Sequence, residues 1–463
     1  MGIQNFPAAL QPIIQQGFLE REFQQALRSK LAYRGIADRV TIPTGIGETV
    51  TKTRAGLKPA ITTPMPVASN TNLDNGLTAG SYGVEQYTLT MNLFAATMDL
   101  NMVTERVGIA SQFLQNAYAN GEQAARSLDD LARNALFGAS TVPGSPGYMN
   151  GNTRVRVTLG AAGATITVDD VRGFQYAFSL GAFTSAAAAL AAGYQPTWQP
   201  VSTTNTLSVV VGSNAYTLQS VAVDGTNVST APNGVSGTLT FSSAVSVADG
   251  TAGNTVQAAN APVILRPSGR GNTSQLQATD TLTMSNLLDA VAKLRLNAVP
   301  EVDGAYNCYL DPVSGRQLFS DPDFKQLFQG ATSASQVFRA GMVNDFLGLR
   351  FFPTTEAFVQ AHPSISGLYV RRPIICGQGA LIEGDFEGIA ASDVAPRDAI
   401  ISMVDGVAMV TREPLDRLQQ IIAQSWYWIG GFAIPSDITT TSTTVPTATS
   451  AAFKRAVVLE HVG

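Results

Sequence analysis

Apolar residues at Val107, Ala110, Phe113, Leu114, Ala117, Tyr118, Ala124, Ala125, Leu128, Leu131, Ala132, Ala135 and Leu136 recur at close to a helical period. The stretch from Thr104 to Phe137 therefore reads as one long helix with a continuous buried face. Thr104 suits its N-cap, Glu105 the positive end of its dipole and Gly138 its C-terminal stop. At the standard helical rise such a helix spans roughly 50 Å. Gly121 and scattered polar residues break any strict heptad or membrane-length apolar run, and no repeat of fixed period is present. A helix laid across a sheet is what remains.

The rest of the chain supplies strands for that sheet. Leu10, Ile13, Ile14, Phe18, Leu19, Phe23 and Leu27 predict an amphipathic helix over 8–32, docked on its own domain or reaching a neighbouring subunit. Short strands follow over 39–54, then a polar stretch with Gly and Pro over 56–83. Beyond it Tyr87, Leu89, Met91 and Leu93 alternate on one face, so an extended hairpin precedes the long helix. A two-stranded ribbon is marginal in water, which points to another molecule beneath it.

After the long helix the composition changes: between Gly173 and Leu265 only Asp224 and Asp249 are charged. TLSVVV, YTLQSVAV, GTLTFS and PVILRP, separated by turns containing Asn and Gly, predict a small antiparallel β-domain near 195–267. A linker and a short helix, SAAAALAAG, precede it. Arg266 and Arg270 at its exit read as a solvated linker rather than phosphate contacts. Leu287, Leu288, Val291 and Leu294 mark a helix over 283–296, AYNCYL a strand, and Asp311-Pro312 and Asp321-Pro322 open two short helices. LYVRRPIIC, AIISMVDGVAMV, RLQQIIAQSWYWIGGFAI and RAVVLEH are strand candidates; the Thr/Ser-rich loop over 437–450 has no pattern. Strands before, between and after helices make the class α+β.

Composition sharpens this picture. With 463 residues, 45% of them hydrophobic, the chain can bury a large core. Only 14% are charged, against about 25% in an average soluble protein, a surface suited to cover by neighbouring copies. A net charge of -5 leaves no electrostatic footprint for tight nucleic-acid binding. Cys308 and Cys376 are too few for a disulfide framework or zinc site and read as two buried thiols. Neither a secretory signal nor a membrane span is apparent.

No residue of the sequence reads as catalytic, cofactor-binding or metal-ligating. His362 and His461 are far apart and read as satisfied or solvated. No nucleophile elbow or phosphate-binding loop occurs, and the spacing of Gly377, Gly379 and Gly384 does not fit a dinucleotide fingerprint. Asp129-Asp130, Asp321-Pro322-Asp323 and Asn72-Leu73-Asp74-Asn75-Gly76 lack calcium-loop spacing and read as helix face, turn and loop tip. Arg371-Arg372 either pair with carboxylates across subunits or face water. The chain is not expected to be an enzyme.

With its parts in this order the chain resembles the major capsid (coat) proteins of tailed double-stranded DNA bacteriophages, which share the HK97-like fold. TERVGIASQFLQNAYANGEQAARSLDDLARNALFG, YNCYLDPVSGRQLFSDPDF, GLRFFPTTEAF and AVVLEHV carry the resemblance. It implies an N-terminal arm over 1–37, an extended loop and strands over 38–101, and a spine helix over 102–138. An insertion over 139–279 holds the small β-domain; an axial domain over 280–397 and return strands of the peripheral domain over 398–463 complete the chain. By the same resemblance the function is assembly into an icosahedral shell around packaged double-stranded DNA, contacted weakly and non-specifically. The implied partners are further copies in hexameric and pentameric capsomers, a separate scaffolding protein, a portal and decoration proteins. No membrane or cofactor is involved, and the implied location is the virion, after assembly in the host bacterial cytoplasm. The rival reading is a bacterial surface or adhesion protein, suggested by the Ser/Thr-rich β-domain.

Overall fold

The computed structural model describes residues 32–42, 47–58, 60–62, 64, 82–101, 112–138, 147–179, 192, 197–224, 234–324, 345–346, 348–386, 400–412, 420–438 and 451–463. The expected helix over 8–32, the loop tip, the Thr104 cap, the SAAAALAAG helix and nearly all of the Thr/Ser-rich loop lie outside them. In chain order the elements begin β1 (Ala37–Ile42), β2 (Thr49–Ala55), β3 (Val84–Thr90), β4 (Asn92–Asn101) and α1 (Gln112–Phe137). Next come β5 (Asn152–Arg154), β6 (Gly163–Val168), β7 (Tyr176–Ser179), β8 (Thr197–Pro200), β9 (Leu207–Val211), β10 (Asn214–Val223), β11 (Gly237–Val245), β12 (Thr255–Ala258) and β13 (Ile264–Leu265). Then follow α2 (Met284–Leu296), β14 (Tyr306–Leu310), α3 (Pro312–Ser320), β15 (Asp345–Phe346), β16 (Leu349–Pro353), β17 (Val359–Ala361), β18 (Tyr369–Arg371) and β19 (Ile374–Cys376). β20 (Leu381–Phe386), β21 (Ile400–Val404), β22 (Val407–Arg412), β23 (Ile421–Ala433), β24 (Ala456–Leu459) and β25 (His461–Val462) end the chain. This is the α+β class.

The chain divides into two compact units: Met1–Val50, Thr88–Asn134 and Leu381–Ala433 form one; Thr51–Tyr87, Ala135–Ala380 and Ile434–Gly463 form the other. In the first, β23 is the centre of a mixed sheet. It pairs antiparallel with β4 from Ile421 to Gly430, with β22 and with β20, while β1 joins β20 in parallel and β21 joins β22. Strand alternation turns Trp426 and Trp428 to one face, where Ala117, Ala124, Ala125 and Leu128 of α1 are buried against them. Small alanines let the helix lie close, and the two indoles fill the space. Phe94 of β4 stacks on Trp428 at 5.8 Å. Gly431 permits the approach of the chain before β4, since a Cβ there would stand 2.0 Å from the Thr90 carbonyl oxygen. The Asp405-Gly406 turn between β21 and β22 has φ of 52° and 80°, the left-handed pair that a two-residue hairpin requires. Tyr118, counted above into the apolar stripe, is instead 42% exposed, because it lies about 100° round the helix from Ala117.

The second unit contains two larger cores. One is a six-stranded sheet in the order β5-β12-β9-β10-β11-β6. Its two end strands meet: Val155 bridges Val168 and the Arg156 N–H donates to the Thr167 oxygen at 2.8 Å, so the sheet closes into a small barrel. Closure removes exposed edges. The barrel is filled by Val155, Ile166, Val168, Val209, Leu239, Val256 and neighbours. The other core packs α2 and α3 on the sheet β13-β24-β19-β14-β16-β15, through Leu287, Val291, Leu294, Leu318 and Cys308 among others.

Four expected boundaries change. The β-domain expected near 195–267 starts at Asn152, because Arg154 and Arg156, which look like linker residues, point outward to Asp169 and Asp224. It ends at Ala258, since β13 pairs with β24 instead. Residues 280–397, expected as one domain, do not stay together, as β20 belongs to the sheet of β23, and residues 398–463 divide between the two units after Ala433. Within 38–101, β1 and β4 join the β23 sheet and only β2 and β3 pair as a ribbon, whose Val50 and Leu89 are buried in the chain's own core. An entirely unsupported hairpin is therefore not found.

Candidate functional site

The residues with catalytic potential are placed where they hold the fold. Asp311 caps α3 by accepting the Val313 N–H at 3.2 Å, and also accepts from Ser314 and Arg371. Ser314 Oγ lies 2.8 Å from His461 Nε2. This is a serine, histidine and aspartate in contact, but the serine stands between acid and imidazole, whereas nucleophilic catalysis needs the imidazole in the middle. Ser314 and His461 are both 0% exposed, so no substrate reaches them. Burial pushes His461 down to about 4 and keeps it neutral. His362 Nδ1 accepts the Ser364 and Ile365 N–H groups, a loop-fixing role, and burial lowers its basicity.

Cys308 and Cys376 are free and buried, and burial raises both thiols. They sit on adjacent strands, but Cys308 opposes Ile375 and Cys376 opposes Asn307, so they face opposite sides of the sheet. Among the described residues no group of three metal-ligating side chains occurs.

Charged residues read from sequence as solvated turn out to be internal ties. Arg266 Nε and Arg372 Nε clamp Glu460 at 2.6 and 2.8 Å, and Thr273 adds a third donor. Burial alone would raise the Glu460 carboxyl, but the two guanidiniums overcome it and hold it at about 2. Arg270 pairs with Asp280 at 2.9 Å, and Arg371 with Asp311. Arg371 and Arg372 thus find carboxylates within the chain. Asp129, expected as a helix face, is buried, and its Oδ1 accepts the backbone N–H groups of Ala32, Tyr33 and Arg34 at 3.0, 2.6 and 3.2 Å. Arg34 continues to Glu383 with Nε at 2.9 Å and to the Asp405 carbonyl oxygen at 3.0 Å. The point where residues 1–31 join the fold is therefore pinned.

The remaining candidate is a surface. The β2–β3 pair is closed by the Gly56 N–H donating to the Gly83 oxygen at 2.8 Å, and residues 56–83 lie between the two strands in sequence. Nearby in sequence, Leu57 is 56% exposed, Ile61 92%, Tyr82 49% and Val84 42%. The Lys58 ammonium lies 5.4 Å from the Tyr82 ring centroid.

No protein-family model and no curated protein matches the sequence. Among solved structures the chain is similar to the capsid of Ralstonia phage GP4, with 10% identity and a TM-score of 0.49 over 94% of this chain and 92% of that one. It is also similar to the capsid structure of cyanophage P-SCSP1u, with 10% identity and a TM-score of 0.42 over 94% of this chain and 89% of that one. The capsid asymmetric unit of cyanophage Pam1 is similar at 11% identity and a TM-score of 0.41, over 90% of this chain and 86% of that one.

Proposed function

We propose that the chain is the major capsid protein of a tailed double-stranded DNA bacteriophage, with an HK97-like subunit that assembles with copies of itself into an icosahedral shell. The observation that carries this reading is the apolar surface at the start and end of residues 56–83. Leu57, Ile61, Tyr82 and Val84 are all more than two-fifths exposed. Exposed apolar side chains gain stability when a partner covers them. A chain with only 14% charged residues suits burial of much of its surface against neighbours. The order of parts agrees: a β-ribbon, then a long helix laid on a sheet completed by the C-terminal third of the chain.

Repeated contacts between unlike faces close into hexameric and pentameric capsomers and then into a shell. A separate scaffolding protein, a portal and decoration proteins complete the particle. The net charge of -5 favours weak, non-specific contact with the packaged DNA. The protein resides in the virion after assembly in the host bacterial cytoplasm, and it has a structural rather than an enzymatic role. Electron microscopy of the purified or co-expressed chain tests this. Shells or ring-like capsomers are expected, and a clean monomer under every assembly condition overturns it.

A further inference from the structure

The neck of residues 56–83 is gripped by charged side chains from two other segments of its own unit and by backbone carbonyls from a third. Arg54 of β2 directs Nη2 to Asp437 Oδ1 at 2.9 Å, to the Ser436 carbonyl oxygen at 3.2 Å and to Glu85 Oε2 of β3 at 3.3 Å. Its Nη1 donates to the Gly379 oxygen at 3.3 Å. Arg455, entering β24, donates Nε to Asp437 Oδ1 at 3.2 Å and Nη1 to the Gln378 oxygen at 3.0 Å. Ser436 Oγ donates to Glu85 Oε1 at 2.8 Å. Asp437 therefore takes both guanidiniums, while among the described residues Glu85 has only the longer guanidinium contact to Arg54. Glu85 is 2% exposed and Asp437 0%.

We propose that this group is a proton-operated latch on residues 56–83: the neck is held most firmly when the Glu85 carboxyl carries a proton, and it loosens when that proton leaves. Protonated Glu85 keeps its hydrogen bond to Ser436 and leaves Arg54 to Asp437 and the carbonyls. Ionised Glu85 is a second buried negative charge competing for an arginine already engaged. Burial pushes the Glu85 carboxyl up to about 7, with Asp437 adding to the rise and Arg54, Ser436 and Arg455 opposing it. Lys454, also buried, has its ammonium lowered chiefly by burial, against the pull of Asp437. A carboxyl raised in the folded state gives a hold that is complete below its ordinary 4.5 and is lost as pH rises through about 7.

Hydrogen exchange of the purified full-length chain, followed on peptides covering 51–58 and 82–87 and corrected for the intrinsic rate at each pH, reads the latch directly. Opening should become about tenfold easier per pH unit from about 5 to 7 and level off above. Glu85→Gln should abolish the rise, and exchange of the exposed Glu48 in Glu48→Gln should leave it in place. A flat wild-type profile, or a Glu85→Gln profile that still rises, overturns the proposal. Should Glu85→Gln fail to fold, carbon-13 titration of the wild-type glutamates decides: one carboxyl titrating near 7 supports the latch, and all titrating below about 5 overturn it. The readout does not depend on shell formation, so its failure and failure of the capsid reading are separate results.

Discussion

Glu460 ties together residues that nothing in the sequence relates. Its partners Arg266 and Arg372 lie 194 and 88 positions away. A carboxylate held at about 2 against an ordinary 4.5 contributes stability that is present above 4.5 and is lost as pH falls toward 2, about 3 kcal/mol in all. Urea midpoints of the wild type should therefore drop over that acid range. Glu460→Gln should flatten that part of the acid response and, by leaving two buried guanidiniums without a counter-charge, cost about 3–5 kcal/mol at neutral pH. Equal acid slopes in the two proteins would show that another group governs acid unfolding. Asp129 is a second such residue. Asp129→Ala orphans three backbone N–H groups at the entry to the fold, each worth about 1–3 kcal/mol when buried unpaired, and should lower the unfolding midpoint strongly. From sequence Asp129 is a polar residue on a helix, because its role depends on a turn about a hundred positions earlier.

The legibility of elements follows how local their causes are. α1 was readable because its buried face is written in its own period: Ala117, Ala124, Ala125, Leu128, Ala132 and Leu136 are all 0% exposed. The sheet beneath it was readable in kind, since IIAQSWYWIGGFA alternates, but its strand order was not. Pairing of β4 with β23 and of β1 with β20 joins segments hundreds of residues apart. The start of the barrel is hidden for the same reason, since β5 and β6 become strands only through partners. At this scale the helix itself is the test. Ala117→Pro removes an interior hydrogen bond and clashes with the preceding turn, at a cost of about 3 kcal/mol or more. Because Ala117 packs in the core with Trp426 and Trp428, the variant should lose cooperative unfolding of the subunit by calorimetry, not assembly alone. A fully folded variant that merely fails to assemble would mean that α1 carries contacts between subunits instead.

For the molecule as a whole, the barrel poses the sharpest question, because its residues leave and rejoin the chain at one place. The Ala258 N–H donates to the Gly151 oxygen at 2.9 Å, so the ends of the excursion are neighbours. Its core residues all fall between Val155 and Ala261, so the apolar burial that stabilises it is internal. An insertion with adjacent ends and a private core can be removed without opening the host. Replacing residues 152–257 by a short Gly/Ser linker between Gly151 and Ala258 should leave a subunit that still unfolds cooperatively. Its midpoint should fall modestly, since the excision removes the Trp198 ring stacked 6.2 Å from Phe453 and the Asn272 side-chain hydrogen bond to the Gly253 oxygen. Circular dichroism melts of the excised and full-length chains measure this, and electron microscopy of the same samples separates two roles. Shells from the excised chain would make the barrel an appendage, whereas a folded subunit without shells would place it in the contacts between copies. Collapse of the subunit into an aggregating, non-cooperative state would show that the α2 and α3 core needs the barrel to fold.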